Sequence, residues 1–276
     1  MFTTIENIDY FKCLSCGSLF ADPAFLMKTA RGEAQTYREE YWESEQRAAV
    51  ARCYGPSPIR LAETLLYCRR PVRRFLDIGA GSGRLLDALG ILLPSAKSVF
   101  HAVDAFPPAP PHRTTNPNFV EGTVGDMVGP FDAGICVEVI EHLVPDMLRV
   151  IVRDLAAISA PGALYLFNSG QPEFVEQEEP GYLDPTLRGH IVSYSIAGAR
   201  AVFEPFGFNI IPLPGRYWAF LAEFGPVVPV SRDDLYARLW TPVPENMALL
   251  GADPFGNMLH VAGLEAARCY LELGAR

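Results

Sequence analysis

One stretch narrows the possible folds more than any other. Phe75-Leu76-Asp77-Ile78 runs directly into Gly79-Ala80-Gly81-Ser82-Gly83, and Arg84 to Leu89 then reads as a helix. A short apolar run that ends in glycines is a strand followed by a sharp turn, because glycine enters left-handed backbone conformations without steric penalty. The alternation continues downstream. Val99 to Val103 is a second strand closed by Asp104, Asn118 to Glu121 a third, and Phe131 to Val137 a fourth. A helix from Pro145 to Ile158 follows, stopped by Pro161-Gly162, and Ala163 to Asn168 is the fifth strand. Strands alternating with helices predict a parallel sheet covered on both faces, an α/β architecture.

The flanks are less regular. Residues 1–55 read as an N-terminal cap, with a Cys-x-x-Cys-Gly knuckle at Cys13, Cys16 and Gly17 and an aromatic helical segment from Tyr37 to Trp42. Gly55-Pro56-Ser57-Pro58 leads into a helix over Ile59 to Cys68, so the main domain is set at 56–276. Near the end, Ile196 to Phe206 reads as a helix, Phe208 to Leu213 as a strand and Met258 to Leu264 as the last strand. Between those two strands lies a Pro-rich, aromatic insertion, 214–253.

The balance of 23 basic against 32 acidic residues, net −9, argues against a grip on long nucleic acid, which asks for a basic face. No run approaches the about 20 apolar residues of a membrane span, and the N-terminus lacks a signal-peptide pattern. Six irregularly spaced cysteines do not form a disulfide framework, which fits reduced thiols in the cytoplasm.

In an open α/β sheet the crevice at the carboxyl ends of the strands binds the ligand. A dinucleotide site would carry G-x-G-x-x-G facing a pyrophosphate. Here Gly79, Gly81 and Gly83 make G-x-G-x-G, and Asp77 stands just before them. A carboxylate there suits a cationic amino-acid moiety better than phosphate. Asp104, ending the next strand, is placed to hold a ribose diol.

With Val137-Glu138-Val139-Ile140-Glu141-His142-Leu143 added, Phe75 to Leu86 and Asp104 resemble a class I S-adenosylmethionine (SAM)-dependent methyltransferase. The resemblance implies a Rossmann-like, seven-stranded, doubly wound sheet ending in an antiparallel hairpin, here Phe208–Leu213 with Met258–Leu264. It implies SAM as cofactor, with Asp77, Gly79, Ala80, Gly81 and Gly83 around the methionine part and Asp104 at the ribose. Thr123 and Val124 fall beside adenine; the family often has an acid where this chain has Thr123, and Asp126 either compensates for it or is only a turn residue. Glu138 falls near the sulfonium.

Two histidines are the catalytic candidates, His142 after the fourth strand and His190 beyond the long loop Ser169 to Leu187. Relatives that methylate sugar nucleotides carry a similar His-x-x-x-[Tyr/Phe]-Ser stretch, in which that histidine serves as base. The E-x-x-E-H pattern of Glu138, Glu141 and His142, with a downstream histidine, resembles the metal site of small-RNA 2′-O-methyltransferases and occurs in ubiquinone-pathway O-methyltransferases. In metal-free relatives it lines the pocket and caps a helix, and no metal is expected here. Cys13-x-x-Cys16 resembles half of a zinc module of sugar C-methyltransferases, but the other pair is missing, so zinc is not expected either. Tyr37 and Tyr41 fall where relatives close a helix over SAM. The expected function is methyl transfer from SAM to a hydroxyl or carbon of a small polar metabolite. The alternatives are a metal-assisted O-methyltransferase of a diol, catechol or RNA end, and a SAM-binding protein without turnover.

Overall fold

The computed structural model describes residues 1–33, 47–251 and 254–273. Its main sheet has seven strands in the order β10-β11-β8-β7-β4-β5-β6. These are β4 (Phe75–Ile78), β5 (Phe100–Asp104), β6 (Phe119–Glu121), β7 (Phe131–Val137), β8 (Ser159–Asn168), β10 (Phe208–Pro212) and β11 (Ala219–Phe224). The strands β4 to β8 pair in parallel. β11 runs antiparallel to both β8 and β10. The chain proceeds from β4 outward to β5 and β6, then returns to the far side of β4 for β7 and β8. The crevice above β4 is therefore the switch point at which α/β sheets bind ligands.

All four residues of β4 are buried, as a central strand covered on both faces requires. One face is an aromatic core in which Phe167 stacks on Phe220 (5.3 Å between centroids) and meets Phe203 edge-on. The other face packs Phe75, Leu86 and Leu89 against the helix Pro56–Tyr67 and the last helix, Pro254–Leu273. No helix among the described residues is long and apolar enough to cross a membrane.

Three expectations are corrected. The last strand is β11, inside the segment read as an insertion, so residues 214–253 do not separate the two hairpin strands. Ala219-Phe220-Leu221-Ala222 is a run of buried residues, which lacks the alternation that marks a half-exposed strand. Met258 to Leu264 belongs instead to the final helix. Leu259, Gly263, Ala267 and Leu271 are buried at four-residue intervals, whereas Met258 and Val261 are exposed. That spacing is one helical face, and Gly263 lets it approach closely, since a Cβ there would lie 2.7 Å from the Ala62 Cβ. Pro161 and Gly162 do not stop a helix: the helix Pro145–Ala157 has already ended, and they sit inside β8, where the register with β7 shifts.

A second, four-stranded sheet, β1-β2-β3-β9, comprises β1 (Thr3–Ile5), β2 (Ile8–Lys12), β3 (Leu19–Ala21) and β9 (Val192–Ser193). The N-terminal strands thus recruit their last partner from just beyond His190. Tyr37, Tyr41 and Trp42 lie outside the described residues.

Candidate active site

The three turn glycines have φ of +70°, +56° and +68°. Two of them are also hemmed in. A Cβ on Gly79 would lie 2.4 Å from Val139 Cγ2, and one on Gly83 would lie 2.4 Å from Thr114 Cγ2. Gly81 has nothing within 4 Å and faces open space. Its amide donates to Asp104 Oδ2 (2.7 Å), while Phe106 N donates to Oδ1 (2.7 Å), so the β5 acid is fixed against the turn. Asp77 is 8% exposed, and burial together with the Asp104 charge pushes its carboxyl up to about 7. Asp104 is also raised by burial, against the pull of its two backbone amides.

A cavity of about 870 Å³ opens over Asp77, Gly79, Ala80 and Gly81. It runs on past Glu138 to Tyr182, His142 and His190. Gly83 and Asp104 back the turn without lining the cavity, and Thr123 and Val124, expected beside adenine, do not line it either. Thr123 caps a short turn, Val124–Asp126, with Asp126 accepting from both its amide and its hydroxyl at 2.8 Å. Asp126 is therefore spent on the turn. Val124 is buried in the core.

Among the described residues, Glu138 is the one non-glycine lining the cavity with left-handed backbone, φ +54°. Its amide donates to Asn168 O (2.9 Å), and its carboxylate accepts from Asn168 Nδ2 (2.9 Å) and the Tyr182 hydroxyl (3.3 Å). Burial, and then the neighbouring Glu141, hold its carboxyl well above the usual range. Glu138 and Glu141 do not share a helical face as their spacing predicts: only Ile140–His142 forms a turn, of 3₁₀ type.

That turn meets the segment carrying His190. Ile191 N donates to Glu141 O (2.9 Å), and the His142 ring bonds through Nδ1 to Gly189 O (3.0 Å). His190 Nδ1 lies 2.8 Å from Tyr182 O, and a carbonyl only accepts, so Nδ1 carries the proton and Nε2 a lone pair. Nε2 faces Glu141 Oε1 at 3.7 Å, and the two imidazole rings are 4.9 Å apart. Glu141 is fully buried beside the Ser169 and Tyr182 hydroxyls, yet neither oxygen makes a hydrogen bond of ordinary geometry. Burial and the adjacent His142 push His190 down to about 3, and burial lowers His142 as well. Glu141, His142 and His190 offer ligand atoms within 4.8 Å of one another. The Tyr10 hydroxyl, from β2, donates to His190 O (2.7 Å).

The model of a family described as a methyltransferase domain matches residues 35–213, well over half of the chain. The chain belongs to that family. A ubiquinone biosynthesis O-methyltransferase from Albidiferax ferrireducens is 29% identical over 160 residues, 55% of this chain and 60% of that protein. One of the same description from Xanthomonas campestris is 31% identical over 117 residues, 40% of this chain and 48% of that protein. The methyltransferase thus spans between about half and three fifths of these relatives' length. The solved structure of human N-acetylserotonin methyltransferase with SAM overlays with a TM-score of 0.49 and 15% identity, over 74% of this chain and 66% of that one.

Sequence reasoning overlooked Tyr182, Asn168 and Tyr10. A polar residue ending a parallel strand, as Asn168 does, is a readable signal of the crevice edge. Tyr182 and Tyr10 have no local signature, because their roles come from contacts across 44 and 180 residues of sequence.

Proposed function

We propose that this methyltransferase transfers the SAM methyl group to a hydroxyl of a small polar acceptor. The observation that carries this reading is the single cavity that joins the glycine turn to the histidine wall. A cofactor with its α-ammonium near Asp77 and its ribose near Asp104 would direct the methyl toward Glu138 and the histidines. Methyl transfer is an in-line displacement, and holding nucleophile and methyl in register supplies much of the acceleration. The acceptor hydroxyl must also lose a proton. His190 is neutral at pH 7 and lines the cavity, with Nε2 facing Glu141 at 3.7 Å; burial raises the Glu141 carboxyl, and once ionised it would stabilise the imidazolium formed on accepting the proton. The relatives are O-methyltransferases, which supports oxygen over carbon as the acceptor atom.

Calorimetry with S-adenosylhomocysteine (SAH), followed by a screen of phenols, catechols and sugar hydroxyls with labelled SAM, tests the reading. SAH binding with label on an acceptor oxygen is expected. A protein that binds neither SAM nor SAH overturns it.

The unsatisfied Glu141 favours a second reading. Two imidazoles and a buried carboxylate fit a divalent cation. Glu141, His142 and His190 would hold it, and such an ion lowers the pKa of a bound hydroxyl. Activity that survives EDTA supports the metal-free route. Activity lost to EDTA and restored by magnesium or manganese replaces it with the metal-assisted one.

A further inference from the structure

We propose that Cys13 and Cys16 are an exchange-competent dithiol that closes reversibly to a disulfide, and that closure is felt at the strand following His190. The second half rests on the reading of His190 given above.

Six cysteines are present, and their surroundings divide them. Cys53, Cys68 and Cys136 are buried, and burial pushes their thiols up, the first to about 12 and the second to about 11. Cys13 and Cys16 are partly exposed on a tight turn leaving β2. Cys13 N donates to Ser18 O and Gly17 N to Cys13 O, both at 2.8 Å, and Gly17 at φ +78° completes the reversal. The Cys16 side chain is itself among the hydrogen-bond partners of the Cys13 sulfur. The Ser15 hydroxyl is 3.1 Å from the Cys13 sulfur, and the Ser15 and Cys16 amides also point at it. These donors lower the Cys13 thiol to about 6. Among the described residues no histidine, carboxylate or further cysteine joins the pair in a metal-ligand cluster, whereas structural zinc asks for about four ligands.

The chemistry is thiol–disulfide exchange with a low-molecular-weight disulfide. Cys13 thiolate attacks one sulfur, the external S–S bond breaks and one thiolate leaves. Cys16, giving its proton to the solvent, then attacks the Cys13 sulfur and expels the second thiolate. The two protein thiols lose two electrons, and the external disulfide gains them as two thiols.

The knuckle touches the site through Ser195. The Ser195 hydroxyl donates to Cys16 O, and Ser195 N donates to Ser18 Oγ (3.0 Å). Ser195 Oγ also accepts from Gly198 N (3.0 Å), which caps the helix Ile196–Phe203. Gly198 has no side chain to spare here: a Cβ would lie 2.3 Å from Ser18 Oγ and 3.6 Å from Cys16 Sγ. Cys16 Sγ now rests 3.3 Å from Ser18 Oγ, and turning it toward Cys13 breaks that contact. β9 lies between His190 and Ser195 in one six-residue stretch.

The test incubates the full chain with mixtures of glutathione and its disulfide, then alkylates and maps the products by mass. A single Cys13–Cys16 disulfide is expected, with Cys13 alkylation rising as pH passes about 6. Cys16→Ser should stop at a mixed disulfide on Cys13. If wild type also stops there, if Cys13 reacts only above about pH 8 like a free thiol, or if zinc copurifies and is lost in both Cys→Ser variants, the dithiol assignment is overturned. Amide exchange at Ser193 and Tyr194 should change on oxidation, and kcat should fall about two- to tenfold, the weight of one or two hydrogen bonds. Unchanged exchange and kcat overturn the coupling while leaving the disulfide. A reduced protein with no turnover on any acceptor, yet with a normal disulfide, counts against the methyl-transfer reading alone.

Discussion

The two halves of the cavity are built on opposite plans. The glycine-turn half centres on one short segment, 77–83, fixed by the remote Asp104, and most of what that segment presents is backbone. The histidine half gathers side chains from Glu138 to His142, from Asn168, from Tyr182 and from His190, with Tyr10 behind them. The first half should therefore tolerate little change in backbone conformation, and the second little change in side-chain chemistry.

The largest effect expected from that contrast is at Gly81. Gly81→Val places a β-branched residue at φ +56° and fills the open space above the turn. SAH binding should be lost, with stability down by about 1–2 kcal/mol from the left-handed strain. Calorimetry and thermal melting separate the two, and undiminished SAH binding would mean that the cofactor lies elsewhere.

On the other side, His190→Ala should lower kcat by roughly 10²–10⁴-fold while SAH affinity holds. His142→Ala should cost less. The reverse ranking would transfer the proton-accepting role to His142, and a drop of only about twofold in both would leave catalysis to alignment.

A smaller effect concerns pH. Asp77 is neutral below about 7 in the ligand-free protein, and a cationic ligand prefers it ionised. SAM affinity should rise with pH through about 7 and then level, falling by on the order of tenfold per unit on the acid side. The sign for folding is opposite. A carboxyl raised from 3.8 to about 7 makes the ligand-free fold lose stability as pH climbs through that window. Affinity that does not vary between pH 6 and 8 would remove Asp77 from the ammonium site.

The same division explains what the sequence disclosed. The segment from β4 to Asp104 was legible because strand, turn and acid lie close together and each obeys a local rule. β7 was placed residue for residue, since Phe131 to Val137 is bounded by a proline and an acid. β11 was missed because Ala219–Ala222 is buried throughout, and Met258–Leu264 was misread because a short, uncharged, largely apolar run does not by periodicity alone separate a strand from a segment of helix. The meeting of Glu141 with His190 was signalled only by the resemblance to the E-x-x-E-H metal site, not by any local rule. It depends on β3 pairing with β9, a contact spanning more than 170 residues that no local periodicity encodes.

Trp218 has an optical consequence. It lines the cavity with the Arg60 and Arg216 guanidiniums each 4.5 Å from its ring centroid, and Glu63 is ion-paired to both arginines. Cations held that close to an indole interact with its π face, so its emission depends on the field around it. Trp240, the other tryptophan among the described residues, is 73% exposed and far less sensitive to what fills the cavity. Once Trp42 is replaced by phenylalanine, Trp218 therefore serves as an intrinsic fluorescent gauge of occupancy and Trp240 as its reference.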